Sequence, residues 1–214
     1  MSTTGPTGIT PAELVSRHPR LFHMTEPGAW PSIRAEGLAS AAALVERFGA
    51  APALVAGRRP AAVTLHAPGR DPVVLRDNGV LHDGQLARCL EGMGVADFYR
   101  MLNARVYLWP TRRRVEGLLA ARAYRHRAHL VLELDTAALL DRHAAAVRLS
   151  PINMGATLIN PPRRGPDTAR PLATWPRGRT LAEVTVEHAV PDAAELVLGA
   201  AVHHPGGHVE PLDL

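Results

Sequence analysis

The spacing of apolar residues changes repeatedly along the chain, and each change predicts a boundary between a strand and a helix. Period-two alternation or a short apolar run predicts strands at 22–25, 62–65, 73–75, 105–109, 129–134, 147–149, 181–189 and 196–202. Spacings of three and four predict helices at 11–18, 29–36, 41–48, 82–92, 95–104, 112–123 and 136–142. This mixture of short strands and helices predicts an α+β fold.

Local signals mark the ends of the first two helices. Thr10 is a good N-cap, Pro11 suits the first helical position, and Glu13 lies three residues beyond the cap, as in a capping box. Gly37 follows the second helix and suits the C-cap. Between residues 151 and 179 the chain is rich in proline and shows no periodic pattern. We expect a long irregular loop over about 150–180, of the kind that is functional or mobile in a compact domain.

Composition predicts one globular domain spanning residues 1–214. The chain is 46% hydrophobic and 21% charged, and 214 residues suffice to bury a core. The formal net charge is +4, but all 24 basic residues are Arg and none is Lys, which is typical of a GC-rich genome. We therefore do not take the overall charge as evidence for a nucleic-acid partner.

The sequence shows no sign of a membrane or metal protein. No apolar run is long enough to span a bilayer, and residues 1–10 lack the features of a signal peptide, so we expect a cytoplasmic protein. Cys89 is the only cysteine, which excludes an intramolecular disulfide, and its spacing predicts a buried position on a helix. Histidines are grouped at 126 and 129 and at 203, 204 and 208, but nothing completes a metal site, and none is predicted.

Four short stretches together resemble a known fold. They are the strand Leu21–Thr25, which contains His23 and Thr25, the helix and turn Ser32–Leu38, the central strand with its following arginines from Tyr107, and the late strand Leu181–Pro191. In this order they are similar to the ADP-ribosyltransferase fold, a split central β-sheet with flanking helices. The resemblance is greatest to the DarT-type DNA ADP-ribosyltransferases and to an uncharacterised bacterial family of the same layout, and more distant to RNA 2'-phosphotransferases.

The resemblance implies a role for each matched residue. His23 would hydrogen-bond the adenosine ribose of NAD, with Thr25 beside it on the same strand, and Tyr107 would contact the nicotinamide. Arg112 or Arg113 would lie near the phosphates or the reacting centre. Glu183 would be the catalytic carboxylate, which suits the reaction because breaking the bond from nicotinamide to ribose creates positive charge on the ribose.

Each assignment has an ordinary structural alternative. Glu183 and Glu187 alternate along a strand and would form its solvated face, and Glu133 is another candidate carboxylate. His23 would be a core or edge histidine, and Tyr107 a core aromatic. The arginines from 112 to 114 would be solvated, or would join the following residues in a basic surface for a diphosphate or a nucleic-acid backbone: Arg100, Arg105, Arg122, Arg125 and Arg127. Residues 150–155 would line a pocket or form only a turn.

The function expected from the resemblance is transfer of ADP-ribose from NAD, with release of nicotinamide. The acceptor would be DNA or RNA, in a toxin or defence role that implies an antitoxin or other silencing partner. Two alternatives remain open: a non-catalytic NAD- or nucleotide-binding module of the same fold, and an enzyme like the RNA 2'-phosphotransferases. The last of these would need more than one Arg converging with His23.

Overall fold

The computed structural model describes residues 8–158 and 160–214. The strands, numbered in chain order, are β1 Arg20–Thr25, β2 Leu38–Ala39, β3 Val63–Leu65, β4 Val73–Leu75, β5 Arg105–Leu108, β6 His129–Asp135, β7 Val147–Ser150, β8 Glu183–Glu187, β9 Ala189–Val190, β10 Val197–His203 and β11 Val209–Pro211. The helices are α1 Pro11–Arg17, α2 Trp30–Glu36, α3 Ala41–Arg47, α4 Ala53–Ala56, α5 Asp83–Cys89, α6 Val95–Asn103, α7 Arg112–Leu119, α8 Thr136–His143 and α9 Ala193–Leu196.

Two antiparallel sheets form the centre of the molecule. The larger has the order β1-β6-β10-β11, and the smaller has the order β5-β8-β7. They meet where Phe22 of β1 pairs with Trp109, the residue after β5. The two backbones exchange hydrogen bonds there, with N to O distances of 2.9 Å and 2.7 Å. The two sheets are therefore joined at one edge by a single bridge.

The main core fills the space between the sheets. On β1 and β6 it receives Leu21, Leu130 and Leu132, and on the smaller sheet it receives apolar residues such as Val106 and Val184. Helices α1, α2, α8 and α9 also contribute apolar side chains to this core. Burial of this alternating apolar set fixes which face of each strand points outward, because a shift of one residue would expose it.

Three smaller clusters cover the remaining faces. Helices α5 and α6 pack together in a cluster that includes Tyr99 and Met154, and Tyr107 of β5 packs against it. Helix α7 packs on Phe22 and Val131. Helices α3 and α4 pack on the hairpin formed by β3 and β4. The outer face of the smaller sheet is therefore covered by α5 and α6 where Tyr107 lies.

The mixed α+β prediction is confirmed, and most predicted elements are present with shifted ends. The predicted cap of α1 forms, since the Glu13 N–H donates to Thr10 Oγ1 at 3.2 Å and the Thr10 N–H donates to Glu13 Oε2 at 2.7 Å. The predicted helix 112–123 was too long, because α7 ends at Leu119. The predicted strand 181–189 is divided, because His188 has a φ of +64°.

The expected irregular loop lies between β7 and β8. Its described residues, 151–158 and 160–182, contain only two short 3₁₀ turns, Pro166–Thr168 and Leu172–Thr174. No helix in the described part of the chain is long and apolar enough to cross a membrane. Residues 1–7, which belong to the segment judged unlike a signal peptide, lie outside the described residues.

Candidate functional site

A cavity of about 750 Å³ lies beside the junction of the two sheets. Its walls include His23 and Thr25 of β1, Arg105 and Tyr107 of β5, and Glu183 of β8. A volume of this size is within the range of pockets that enclose small molecules and cofactors. Four of the predicted site residues, from three distant segments of sequence, therefore line one cavity.

His23 links the two sheets beyond the Phe22 bridge. Its Nδ1 lies 2.8 Å from the carbonyl oxygen of Tyr107, and because a carbonyl only accepts, Nδ1 must carry the proton and donate. Burial lowers the pKa of His23 to about 4, against the opposing effect of this hydrogen bond. The imidazole is therefore neutral near pH 7, and its Nε2, which bonds to no described residue, is an acceptor.

Tyr107 lies on the outer face of β5. Its hydroxyl donates to the carbonyl of Leu102 at 3.1 Å, which fixes the ring against the cluster formed by α5 and α6. The residue also lines the cavity. Burial and the nearby Glu183 carboxylate raise its pKa well above the usual value. Tyr107 is therefore a neutral aromatic wall with its hydroxyl already bonded. Arg105 and Trp109, predicted on the same side of this strand, line the cavity as well.

Glu183 begins β8 and pairs with Ser150 of β7. The residue is only 3% exposed, so it does not belong to a solvated strand face. That alternative holds for Glu187, whose side chain is 43% exposed and bonds to Arg148 at 3.0 Å. Burial raises the pKa of Glu183 to about 7, and the Met154 N–H together with the charges of Arg114 and Arg164 opposes the increase.

The irregular loop supplies the polar contact of Glu183. The Met154 N–H donates to Glu183 Oε2 at 3.0 Å, and the Met154 carbonyl accepts from Arg164 Nη1 at 2.9 Å. The neighbours Asn153 and Gly155 line the cavity. Segment 150–155 therefore does form a pocket wall, as one of its two interpretations predicted.

Arginines dominate the charged part of the cavity wall. Arg59, Arg76, Arg105 and Arg122 line it, against two carboxylates, Asp77 and Glu183. Two of these four cations are held in place by hydrogen bonds to the protein. The Arg59 guanidinium donates to the carbonyls of Leu54 and Arg76 and to Asn103 Oδ1, and Arg76 donates to the Met24 carbonyl at 3.0 Å.

Arg105 has bonding capacity that the protein does not use. Its side chain is 10% exposed, and Nη2 lies 3.8 Å from Glu187. Nη1 is buried, and it has no hydrogen-bond partner among the described residues; the same holds for Nδ2 of Asn78. Unsatisfied buried donors are costly, and both residues lie in a wall where four arginines outnumber two carboxylates, which favours an anionic ligand. The wall is thus suited to a phosphate-containing molecule.

Arg112 and Arg113 are not among the residues that line this cavity. Arg112 instead bonds Glu133 Oε2 at 2.6 Å, with its guanidinium 5.1 Å from the centre of the Phe22 ring, and Arg113 is exposed. The helix that starts at Arg112 turns these two side chains away from the cavity. The third member of the run, Arg114, is the one whose charge lowers the pKa of Glu183. Among the described residues, no group of three His, Cys, Asp or Glu is placed to hold a metal ion.

The family model of DUF7002, a family of unknown function, matches residues 19–197. This match covers well over half of the sequence. The chain belongs to the DUF7002 family. No curated protein matches it. The DUF7002 match includes His23, Tyr107 and Glu183, so the cavity is formed by the part of the chain that defines the family.

Several residues that line the cavity or support Glu183 were not singled out individually from the sequence of this DUF7002 protein. Arg59 and Arg76 lie beside turns, and Met154 and Arg164 lie in the irregular loop, where no periodicity indicates which side chains point inward. The only available signal was the length of that loop, together with its position immediately before the candidate carboxylate strand.

Proposed function

We propose that this protein is an NAD-dependent ADP-ribosyltransferase with an ADP-ribosyltransferase-like split sheet. One observation carries the proposal: His23, Tyr107 and Glu183, which the sequence resemblance assigns to ribose, nicotinamide and catalysis, line a single cavity. The proposal is supported by the arrangement of the central strands in two sheets that join at Phe22 and Trp109, because a split central sheet is expected of such a fold. The cavity volume of about 750 Å³ and the four arginines of its wall are compatible with a dinucleotide.

In the proposed reaction the bond between nicotinamide nitrogen and ribose C1' breaks, and its electron pair leaves with nicotinamide. The Glu183 carboxylate stabilises the positive charge that develops on the ribose. The acceptor attacks C1' and loses a proton to solvent or to a nearby base, so the products are the ADP-ribosylated acceptor, nicotinamide and a proton. His23 Nε2 would accept a hydrogen bond from a ribose hydroxyl, and the arginine wall would hold the diphosphate.

The test is nicotinamide release from labelled NAD, with water, DNA, RNA or protein as the acceptor. We expect Glu183→Gln to lower the rate by about 10²- to 10³-fold while NAD still binds, because the change removes only charge. Glu133→Gln is the matched control, since Glu133 was the other candidate carboxylate and does not line the cavity. Equal rates for wild type and Glu183→Gln would contradict the proposal. Binding without turnover in all acceptors would instead indicate a non-catalytic module.

The arginine wall also favours a second candidate, transfer of an RNA 2'-phosphate to NAD. That activity needs several Arg converging with a His, and Arg59, Arg76 and Arg105 line the cavity together with His23. Incubation with NAD and a 2'-phosphorylated RNA separates the two reactions. Loss of the RNA phosphate supports the second candidate, whereas nicotinamide release with an unmodified acceptor supports the first.

The acceptor and the cellular role follow from the same proposal. We take the acceptor to be nucleic acid and the site of action to be the cytoplasm, where NAD and nucleic acids are both available. Toxicity on expression that Glu183→Gln relieves would support a toxin role with a silencing partner. Expression without toxicity and without modified nucleic acid would remove that role.

A further inference from the structure

The Glu183 carboxylate depends on a loop peptide for its orientation. Glu183 is 3% exposed, and the Met154 N–H is the group that donates to Oε2, at 3.0 Å. No described residue donates to Oε1. The position of the Met154 N–H therefore determines how the carboxylate is held in the cavity wall.

Residue 154 lies in an irregular segment, so neither a helix nor a strand ladder fixes its backbone. Arg164 fixes it instead. Its Nη1 donates to the Met154 carbonyl at 2.9 Å, and its Nε donates to the Pro162 carbonyl at 3.2 Å. One planar guanidinium thus ties two points of the loop together, which a lysine amine would do less rigidly.

Arg164 is itself firmly anchored. The side chain is 1% exposed. Its backbone N–H donates to Cys89 at 2.8 Å and its carbonyl accepts from Glu91 at 2.9 Å, which attaches the loop to the end of α5. A Cβ at the next residue, Gly165, would lie 2.3 Å from the Glu91 carbonyl oxygen, so the backbone contact is also close.

A buried guanidinium stays charged, and this one forms no carboxylate ion pair among the described residues. Its Nη2 is buried without a hydrogen-bond partner. Such an arrangement is unfavourable for stability alone, because apolar packing would avoid the cost of removing a charge from water. The Arg164 and Glu183 charges do act on each other, since each favours the ionised form of the other.

We propose that Arg164 is a positioning residue for Glu183: by bonding the Met154 carbonyl it holds the backbone of residue 154 in place, so that the Met154 N–H stays bonded to Glu183 Oε2. This inference rests on the proposed function for its catalytic consequence, but not for its test. The other charged or titratable groups near Glu183 are Tyr107 on β5, Arg114 on α7, and His23 and Arg105 across the cavity. Among these cations and Arg164, only Arg164 bonds the backbone of residue 154: it donates to the Met154 carbonyl, and the N–H of the same residue donates to Glu183.

The test is a carboxyl NMR titration of the labelled protein without NAD. We expect Arg164→Met to raise the pKa of Glu183 by about one unit or more, because it loosens the Met154 N–H that stabilises the carboxylate and also removes a neighbouring positive charge. Arg148→Met is the matched control. It also removes a half-buried guanidinium, but one that bonds Glu187 and makes no bond to Met154. An unchanged Glu183 titration in folded Arg164→Met would overturn the proposal.

Arg164→Lys provides a second measurement in case the Met variant does not fold. It retains the charge but not the planar fork, so the Met154 amide proton should respond less to ionisation of Glu183 than in wild type. An undiminished response would also overturn the proposal. If the protein releases nicotinamide, Arg164→Met should lower kcat more than it changes KM and move the pH profile upward, with partial rescue by Arg164→Lys. These titrations are independent of turnover, so their failure is distinguishable from failure of the proposed function.

Discussion

Burial changes the ionisation of His23 and Glu183 in opposite directions. It disfavours the charged form of each group, which lowers the pKa of the imidazole to about 4 and raises that of the carboxyl to about 7. At neutral pH the cavity therefore contains a neutral His23 and a Glu183 that is close to half ionised. A small change in the surroundings of Glu183 is then enough to change its charge.

The first prediction concerns stability. Folded Glu183 binds its proton more tightly than the unfolded chain does between pH 4.5 and about 7, so the free energy of unfolding falls as pH rises through that window. Glu183→Gln has no carboxyl group at this position, so it does not show this fall in the free energy of unfolding. Relative to wild type, we expect it to gain about 3 kcal/mol of stability between pH 4.5 and pH 8. Urea denaturation at both pH values measures the difference.

Glu133→Gln is the control for this measurement. Glu133 is partly exposed and bonds Arg112 and Arg20, so its replacement relieves no burial of an unpaired charge.

His23 contributes with the opposite sign, because the unfolded chain binds its proton more tightly between about pH 4 and 6.5, and stability from this group rises with pH. Where the two pH windows overlap, the free energy of unfolding of the wild type should vary little, whereas that of Glu183→Gln should rise with pH. A parallel pH dependence in both proteins would contradict the assignment.

The second prediction concerns the reaction. Under the proposed function only ionised Glu183 stabilises the ribose cation, so nicotinamide release should rise with pH and level off above about 7. Initial rates from pH 5.5 to 9 at NAD concentrations well below KM would show this, because kcat/KM reports ionisation of the free enzyme. A rate that is constant over the range, or one that falls through pH 7, would exclude Glu183 as the titrating group.

At the scale of elements, Gly37 determines how α2 joins the strand pair β2–β9. It ends α2 with a φ of +78°, and a Cβ there would lie 2.5 Å from the backbone of Val190 and Pro191. We expect Gly37→Ala to reduce the free energy of unfolding by about 3 kcal/mol, through strain and a clash with backbone. Thermal or urea unfolding provides the measurement.

Gly49→Ala separates strain from clash. Gly49 follows α3 with a φ of +59°, but a Cβ there would meet no atom within 4 Å. Only the backbone strain should appear, about 1 kcal/mol. Equal losses in the two variants would show that close approach to β9 contributes nothing at Gly37.

The elements that the sequence predicted well are those whose signals are local. The Thr10 capping box, the alternation of β5 and the buried Cys89 of α5 each depend on residues a few positions apart. Elements fixed by distant partners were missed. The two-residue strand β2 exists because Leu38 pairs with Val190, and the position of Arg164 depends on Cys89 and Met154. The spacing of apolar and polar residues along a short segment does not indicate which distant residues will pair.

At the scale of the whole molecule, the cavity is formed by residues from both sheets, and the Phe22 bridge and the His23 hydrogen bond connect them. A ligand that contacts both sheets should therefore stabilise the entire fold. We expect NAD at 100 times its Kd to raise the free energy of unfolding by about 2.7 kcal/mol.

His23→Ala should lose much of this stabilisation at the same NAD concentration, since it removes both the link between the sheets and the Nε2 acceptor. His143→Ala is the control, because His143 is bonded to Asp192 and does not line the cavity. Thermal unfolding of the three proteins with and without NAD makes the comparison. Equal stabilisation of the His23 and His143 variants would indicate that NAD does not occupy this cavity.

The solitary thiol of Cys89 offers a way to observe the loop that carries Met154. The residue is 4% exposed, and its carbonyl accepts the hydrogen bond that anchors Arg164. Because the sulfur is buried in the cluster of α5 and α6, a thiol reagent can reach it only when the surrounding structure opens, and no second cysteine contributes to the signal. The rate of Cys89 modification in the native protein thus reports how often the structure opens at the end of α5, where the loop that supports Glu183 is attached.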